Sequence, residues 1–242
     1  MIRTIQDNTW AGTGTCGRGR RLLRSHVCCV TDCGYPGEVL MIDKVLRVPK
    51  ERALTPLALH LLRPIHPTQI TLVSFGFGLA AGVAAWQEAY ILGLMLWALN
   101  RLLDGLDGTV ARIFRKQSDF GGYLDMLLDI VTYAVIPLGL ALGIGTTEGY
   151  ISMAVLLASF YINAASWMYL AALLEKRKHG AAARGEQTTI TMPGGLIEGT
   201  ETVIFFSLFF LLPQAMIPLF LLMALLVLMT AGQRLAWAVR HL

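Results

Sequence analysis

Six apolar stretches dominate the chain, at approximately 68–87, 89–115, 122–146, 149–175, 196–212 and 215–238. Each approaches or exceeds the ~20 residues that cross a bilayer. Lipid offers no hydrogen-bond partners, so a spanning segment must satisfy its own backbone, which a helix does. The expected fold is therefore an all-α integral membrane protein, a six-transmembrane helix bundle. Composition agrees: 55% of residues are hydrophobic and 15% are charged, against roughly 25% charged in soluble domains. A soluble globular reading is excluded, and 242 residues suit one membrane domain.

The region before these stretches divides in two. Residues 41–66 mix Val45, Leu46, Val48, Leu54 and Leu57 with Lys44, Arg47, Lys50 and Arg52. This pattern predicts an amphipathic helix lying on the membrane surface, ended by Pro64 and Pro67. Residues 1–40 are polar, contain Gly17-Arg18-Gly19-Arg20-Arg21, and lack the apolar core of a signal peptide. They read as a disordered extension, and Met41 reads as an alternative start. Cys16, Cys28, Cys29 and Cys33 all fall there without paired CxxC spacing, so no zinc site is expected.

The net charge is +4 and the pI about 9.0. Because the basic residues sit between apolar runs, they point to anionic lipid and away from nucleic acid. Arg115 and Lys116 follow the second stretch. Lys176, Arg177, Lys178 and Arg184 follow the fourth, and Arg234 and Arg240 close the sixth. The connections near Glu88, Thr147-Glu148 and Pro213 carry no Lys or Arg. Six alternating spans put all the basic connections on one side, so both termini are expected in the cytoplasm.

Four aspartates break the apolar pattern. Asp104 and Asp107 are three residues apart near the end of the second stretch. Asp125 and Asp129 are four apart at the start of the third. Each pair shares one helix face. A short connection makes the two helices antiparallel neighbours, which brings both pairs to similar depth. Ionised carboxylates in such surroundings cost several kcal/mol (about 2.5–3.5 on insertion scales) unless paired or metal-bound. Their oxygens suit Mg²⁺ or Mn²⁺ and match zinc or copper poorly. Two such ions can neutralise a pyrophosphate and steady an in-line displacement. Gly105, Gly108, Gly121 and Gly122 allow close approach of a ligand or backbone, and Arg112 offers a planar fork to a phosphate.

The run from Asp104 to Asp129 reads D-x2-D-G-x2-A-R-x8-G-x3-D-x3-D. It resembles the CDP-alcohol phosphotransferase family of integral membrane enzymes, and the likeness extends over residues 67–242 and the surface helix. The resemblance implies transfer of a phosphatidyl group from a CDP-linked lipid, usually CDP-diacylglycerol, to an alcohol with release of CMP. It implies that Asp104, Asp107 and Asp125 bind metal ions with Asp129 beside them, and that Asp129 is the general base on the acceptor hydroxyl. Gly105, Gly108, Arg112, Ser118 and Gly121 match positions that hold the cytidine diphosphate. Pro67-Thr68-Gln69-Ile70-Thr71 resembles a Pro-Asn-x-x-Thr segment that borders the nucleotide, with Thr68 in place of Asn. A homodimer in the bacterial inner membrane is also implied.

The acceptor is expected to be recognised near Glu198 and Glu201, which share a face at the start of the fifth stretch. No Arg or Lys occurs from 190 to 233, which favours a neutral or amine-bearing acceptor over a phosphorylated one. The run Gly194 to Thr202 resembles a bacterial branch related in pattern to phosphatidylglycerophosphate synthases. Trp86, Tyr90 and Tyr150 read as interface anchors, and Met216, Met223 and Met229 as packing or lipid-facing residues. Two other readings stand beside the transferase: a cation or proton transporter using intramembrane Asp, and a non-catalytic scaffold that keeps the motif.

Overall fold

A computed structural model of the chain describes residues 65–177 and 195–242. The N-terminal extension with its cysteines, nearly all of the surface helix, and Lys178 and Arg184 lie outside the described residues. Within them the chain is helical, with no strand. Six helices follow one another: α1 (Pro67–Trp86), α2 (Tyr90–Ile113), α3 (Asp119–Ile144), α4 (Thr147–Lys176), α5 (Gly199–Leu211) and α6 (Met216–His241). A single 3-10 turn, Pro213–Ala215, leads into α6.

Their ends follow local chemistry. Pro67 opens α1, where its missing N–H is no loss. His66 and Gln69 cap that end reciprocally: the Thr68 N–H donates to His66 Nδ1 at 3.4 Å, and the His66 N–H donates to Gln69 Oε1 at 3.2 Å. Ser118 and Thr146 cap α3 and α4 by accepting from the N–H groups of Gly121 and Gly149. Gly145 ends α3 at φ +66°, a conformation that costs glycine nothing.

Four helical segments are long and apolar enough to cross a membrane: Pro67–Trp86, Asp119–Ile144, Thr147–Lys176 and Pro213–His241. The chain is an integral membrane protein. Helix α2 has 24 residues, but its second half carries Arg101, Asp104, Asp107 and Arg112. The fifth stretch differs from expectation. Residues 195–198 are not helical, so α5 has 13 residues and spans only about 20 Å. Glu198 is spent on the helix cap, and the chain breaks at Leu212 before Pro213.

Helix α1 packs against both α2 and α3, while α4 packs against α6. Small residues permit the first of these contacts. A Cβ on Gly139 of α3 would collide with the Gly82 carbonyl of α1, so the two backbones touch there. A Cβ on Gly78 would come within 2.8 Å of the Thr132 methyl and 3.2 Å of Asn100 Nδ2. An aromatic core joins the halves. Trp97 of α2 stacks on Phe206 of α5 with ring centres 5.0 Å apart, and Phe209 meets Phe220 of α6 edge-on at 4.8 Å. Met216 and Met223 are buried in this core, whereas Met229 is exposed. Leu72, Val73, Ile91, Met95, Ile151 and Leu225 face outward, as lipid requires. Trp86 and Tyr150 are exposed at helix ends, as interface anchors would be.

Gly139→Ala is expected to lower stability by about 1–3 kcal/mol, because the added methyl must push α1 off α3. Gly76→Ala and Gly232→Ala, where an added Cβ meets nothing within 4 Å, are expected to leave it unchanged or slightly raised. Thermal unfolding in detergent checks this, and equal midpoints for Gly139→Ala and Gly76→Ala would refute the backbone contact.

Candidate active site

The polar residues of the bundle gather where the first turns of α1 meet the second half of α2 and the first half of α3. Asn100 anchors the arrangement. Its Nδ2 donates to the Ser74 carbonyl at 2.8 Å and lies 3.1 Å from Ser74 Oγ, while Ser74 Oγ donates to the Asn100 carbonyl at 2.8 Å. These bonds fix the register of α1 against α2, with Gly78 clearing the space for the Asn100 side chain.

The four aspartates converge as their spacing predicts. Asp104, Asp125 and Asp129 line one open cleft with Thr71, Ser74, Asn100 and Thr132. Asp107 stands one step behind, only 5% exposed, and accepts a 2.6 Å hydrogen bond from Thr71 Oγ1. The Thr71 oxygen also lies 3.2 Å from the Pro67 carbonyl, so one hydroxyl ties α1 to the carboxylate.

Arg101, to which the sequence reading assigned no role, is central. Its Nη2 donates to Asp129 Oδ1 at 2.6 Å and its Nη1 to Asp129 Oδ2 at 3.2 Å, a two-pronged pair. Nη1 also lies 3.5 Å from Asp104 Oδ2 and donates to the Tyr133 hydroxyl at 3.1 Å. Nε donates to Asn100 Oδ1 at 2.8 Å. The guanidinium sits 4.7 Å from the centre of the Trp97 ring and 5.4 Å from that of Tyr133. A polar residue in an apolar run signals that it must be paired, but sequence does not say with what.

The donor set fits a hard divalent cation: carboxylate oxygens from two facing helices, with hydroxyl and amide oxygens around them. As the side chains stand, no three His, Cys, Asp or Glu among the described residues are close enough together to hold an ion. Asp129 and Asp104 are turned toward Arg101 instead.

The residues expected to hold a nucleotide occupy the same end of the bundle. Gly108 lies beside Arg112, whose Nη1 would be 3.3 Å from an added Cβ. Ser118 Oγ is engaged by the Gly121 N–H as the cap of α3, at 3.0 Å. Thr68 Oγ1 bonds His66 Nδ1 at 3.1 Å within the α1 cap. Gly105 accepts from Thr109 through its carbonyl.

The later helices carry two further polar arrangements. Glu198 and Glu201 form a capping box on α5: the Glu198 side chain accepts from the Glu201 N–H, and the Glu198 N–H donates to Glu201 Oε2 at 3.2 Å. The Gly195 N–H also donates to Glu198 Oε1 at 3.0 Å. Arg234, one of the basic residues that close the sixth stretch, is 6% exposed and donates from Nη1 to Asn163 Oδ1 of α4 at 2.6 Å. The Ile197 N–H donates to Thr230 Oγ1 at 3.0 Å, so the segment before α5 is bound to α6.

Residues 64–240 match the profile of the family described as CDP-alcohol phosphatidyltransferase. The chain is 37% identical over 149 residues to the inner membrane protein YnjF of Escherichia coli, covering 62% of this chain and 71% of that one. It is 31% identical over 137 residues to the archaetidylinositol phosphate synthase of Pyrococcus horikoshii, covering 57% and 72%. The fold matches the crystal structure of Mycobacterium tuberculosis phosphatidylinositol phosphate synthase with CDP-DAG bound. That match has a TM-score of 0.61 and 23% identity over 76% of this chain and 92% of that one. The same mycobacterial protein, crystallised in complex with manganese and citrate, matches with a TM-score of 0.58 and 23% identity over 76% and 87% of the two chains. These structural likenesses establish a shared fold.

Thr71→Val removes the hydroxyl while keeping the shape and leaves the Asp107 carboxylate without that donor. The expected loss of stability is about 1–3 kcal/mol, with Thr71→Ser close to the parent. Thermal unfolding without nucleotide decides it; a Val variant as stable as the Ser variant would remove the bond from the account.

Proposed function

The chain belongs to the CDP-alcohol phosphatidyltransferase family, and we propose that it moves the phosphatidyl group of CDP-diacylglycerol to an alcohol and releases CMP. The observation that carries this reading is the shared cleft of Asp104, Asp125 and Asp129, with Asp107 hydrogen-bonded behind it. In the reaction the alcohol oxygen bonds to the phosphorus that bears the diacylglycerol. The bond from that phosphorus to the bridging oxygen breaks, and CMP leaves with the electron pair. The alcohol proton passes to Asp129. A carboxylate base supplies part of the rate, and holding the alcohol in line supplies more.

Asp104, Asp107 and Asp125, with Asp129 beside them, are the residues that would hold two Mg²⁺ or Mn²⁺ ions. When bound, such ions neutralise the diphosphate and stabilise charge on the leaving group. Gly105, Gly108, Gly121 and Ser118 leave room for the nucleotide, Arg112 faces its phosphates, and Pro67, Thr68 and Thr71 border it. The small side chains at these positions and the placement of Thr71 on the cleft support that assignment.

The wider arrangement is proposed on the same footing. Helices α2 and α5 complete a six-span bundle, because the charges of α2 are satisfied by partners on α1 and α3. Arg115, Lys116, Lys176, Arg177 and Arg240 lie at one end of the alternating helices, which supports a cytoplasmic active site and cytoplasmic termini in a bacterial inner membrane. A homodimer is proposed as well, on the resemblance to the family alone. The relatives named above lend no specific support to phosphatidylglycerophosphate synthase. With Glu198 and Glu201 committed to a cap, and Arg234 bonded to Asn163, an acceptor panel must choose among alcohols.

Purified protein with radiolabelled CDP-diacylglycerol, Mg²⁺ or Mn²⁺ and that panel is expected to release CMP with one acceptor. Binding of metal and nucleotide without turnover on any alcohol would favour the scaffold. Asp129→Asn is expected to cut turnover by about 10²–10⁴-fold while nucleotide affinity stays near the parent value. Retained activity in that variant would take Asp129 out of the base role.

A further inference from the structure

We propose that Arg101 is an internal cation that competes with divalent metal for the aspartate cluster, and so sets both the affinity of the site and the position of Asp129. The inference rests on reading the carboxylates as a metal site.

Arg101 lies one helical turn before Asp104, with its side chain 11% exposed. Its guanidinium takes both oxygens of Asp129 and reaches one of Asp104, so it covers two of the four acidic groups. A hard cation requires its oxygen ligands at about 2.0–2.1 Å for Mg²⁺, along lone pairs that the guanidinium N–H groups already use on Asp129. A positive charge at hydrogen-bond distance from the ligands also repels a second cation, more strongly among apolar helices than in water. Metal binding through Asp129 and Asp104 therefore requires Arg101 to give up part of its hold.

The surroundings allow that without expelling the charge. Asn100 Oδ1 accepts from Nε, and Asn100 is itself fixed to Ser74 by two bonds. The Trp97 and Tyr133 rings border the guanidinium, and the Tyr133 hydroxyl lies within reach of both Arg101 and Asp129. These groups hold Arg101 at the same depth when its contacts to the carboxylates loosen. With no metal bound, the pair keeps Asp129 and Asp104 from facing each other as like charges. Arg101 acts through the carboxylates of Asp129 and Asp104, so it is a positioning residue.

The test is Mn²⁺ titration of the purified full-length protein in nanodiscs, read by the electron paramagnetic resonance signal of free Mn²⁺, with thermal unfolding in parallel. Arg101→Gln is expected to bind Mn²⁺ on the order of tenfold more tightly than the parent. It should unfold at a lower temperature without metal, with the gap closing as Mn²⁺ saturates. Arg101→Lys, which keeps a cation, should stay near the parent affinity. Unchanged or weaker binding by Arg101→Gln overturns the competition, provided that the parent binds Mn²⁺ and Asp107→Asn does not. If neither parent nor variant binds Mn²⁺, the metal reading fails and takes this proposal with it. Should Arg101→Gln not fold, Tyr133→Phe removes the hydroxyl that receives the guanidinium when it leaves the carboxylates. It should weaken Mn²⁺ binding by roughly two- to threefold, and no change there overturns the idea equally.

Discussion

Charge inside an apolar helix must be answered by another helix, and this requirement organises the first half of the molecule. Asp107 is buried and answered by Thr71 of α1; Asp129 of α3 is answered by Arg101 of α2. Asn100 and Ser74 add a third cross-link between α1 and α2. Each of these bonds joins two helices that would otherwise meet through side chains no more cohesive than lipid. The buried ion pair by itself is weak evidence of stability, since desolvation offsets much of its attraction. Its effect is to specify register: slide α2 by one turn and Arg101 loses Asp129, while Asp107 loses Thr71.

Register of this kind needs backbones that come close. Gly78 makes room for Asn100 and Thr132 together, and Gly82 meets Gly139 where α1 crosses α3. The polar bonds and the small residues therefore depend on each other. Larger residues would separate the helices beyond hydrogen-bond reach, and without the bonds the close crossing would have only dispersion to hold it. Helices α2 and α3 both pack on α1, and the cleft lined by Asp104, Asp125 and Asp129 is the space left between them.

Much of this was legible because it rests on periodicity. The boundaries of α1, α2, α3, α4 and α6 follow apolar runs to within a few residues, and the three- and four-residue spacings of the aspartates put each pair on one face. What was not legible depends on partners distant in sequence. Arg101 stands 28 residues from Asp129, and nothing local separates a buried clamp from a surface anchor. Arg234 raises the same ambiguity: its place near the end of an apolar run marks a flanking charge, and only the fold shows that it bonds Asn163, 71 residues away. Glu198 and Glu201 carried a local signal that went unused. Acidic residues three apart ahead of an apolar run also fit a cap, and that cap removes three residues from the fifth stretch.

The two halves of the bundle divide the demands placed on them. Helices α1, α2 and α3 hold every residue of the acidic cleft, while α4, α5 and α6 are tied to one another by Asn163–Arg234 and Ile197–Thr230. Between the halves the contact is largely aromatic, through Trp97, Tyr133 and Phe206. Aromatic contacts tolerate small shifts better than a two-pronged ion pair does, because a few tenths of an ångström alter a stacking distance of 5.0 Å little and a 2.6 Å hydrogen bond considerably. Yet Trp97 and Tyr133 also border the Arg101 guanidinium, and the Tyr133 hydroxyl reaches Asp129, so the later helices touch the cleft through these two rings. On the proposed reading, the later helices vary around the acceptor only as far as the seat of Phe206 against Trp97 and Tyr133 is kept.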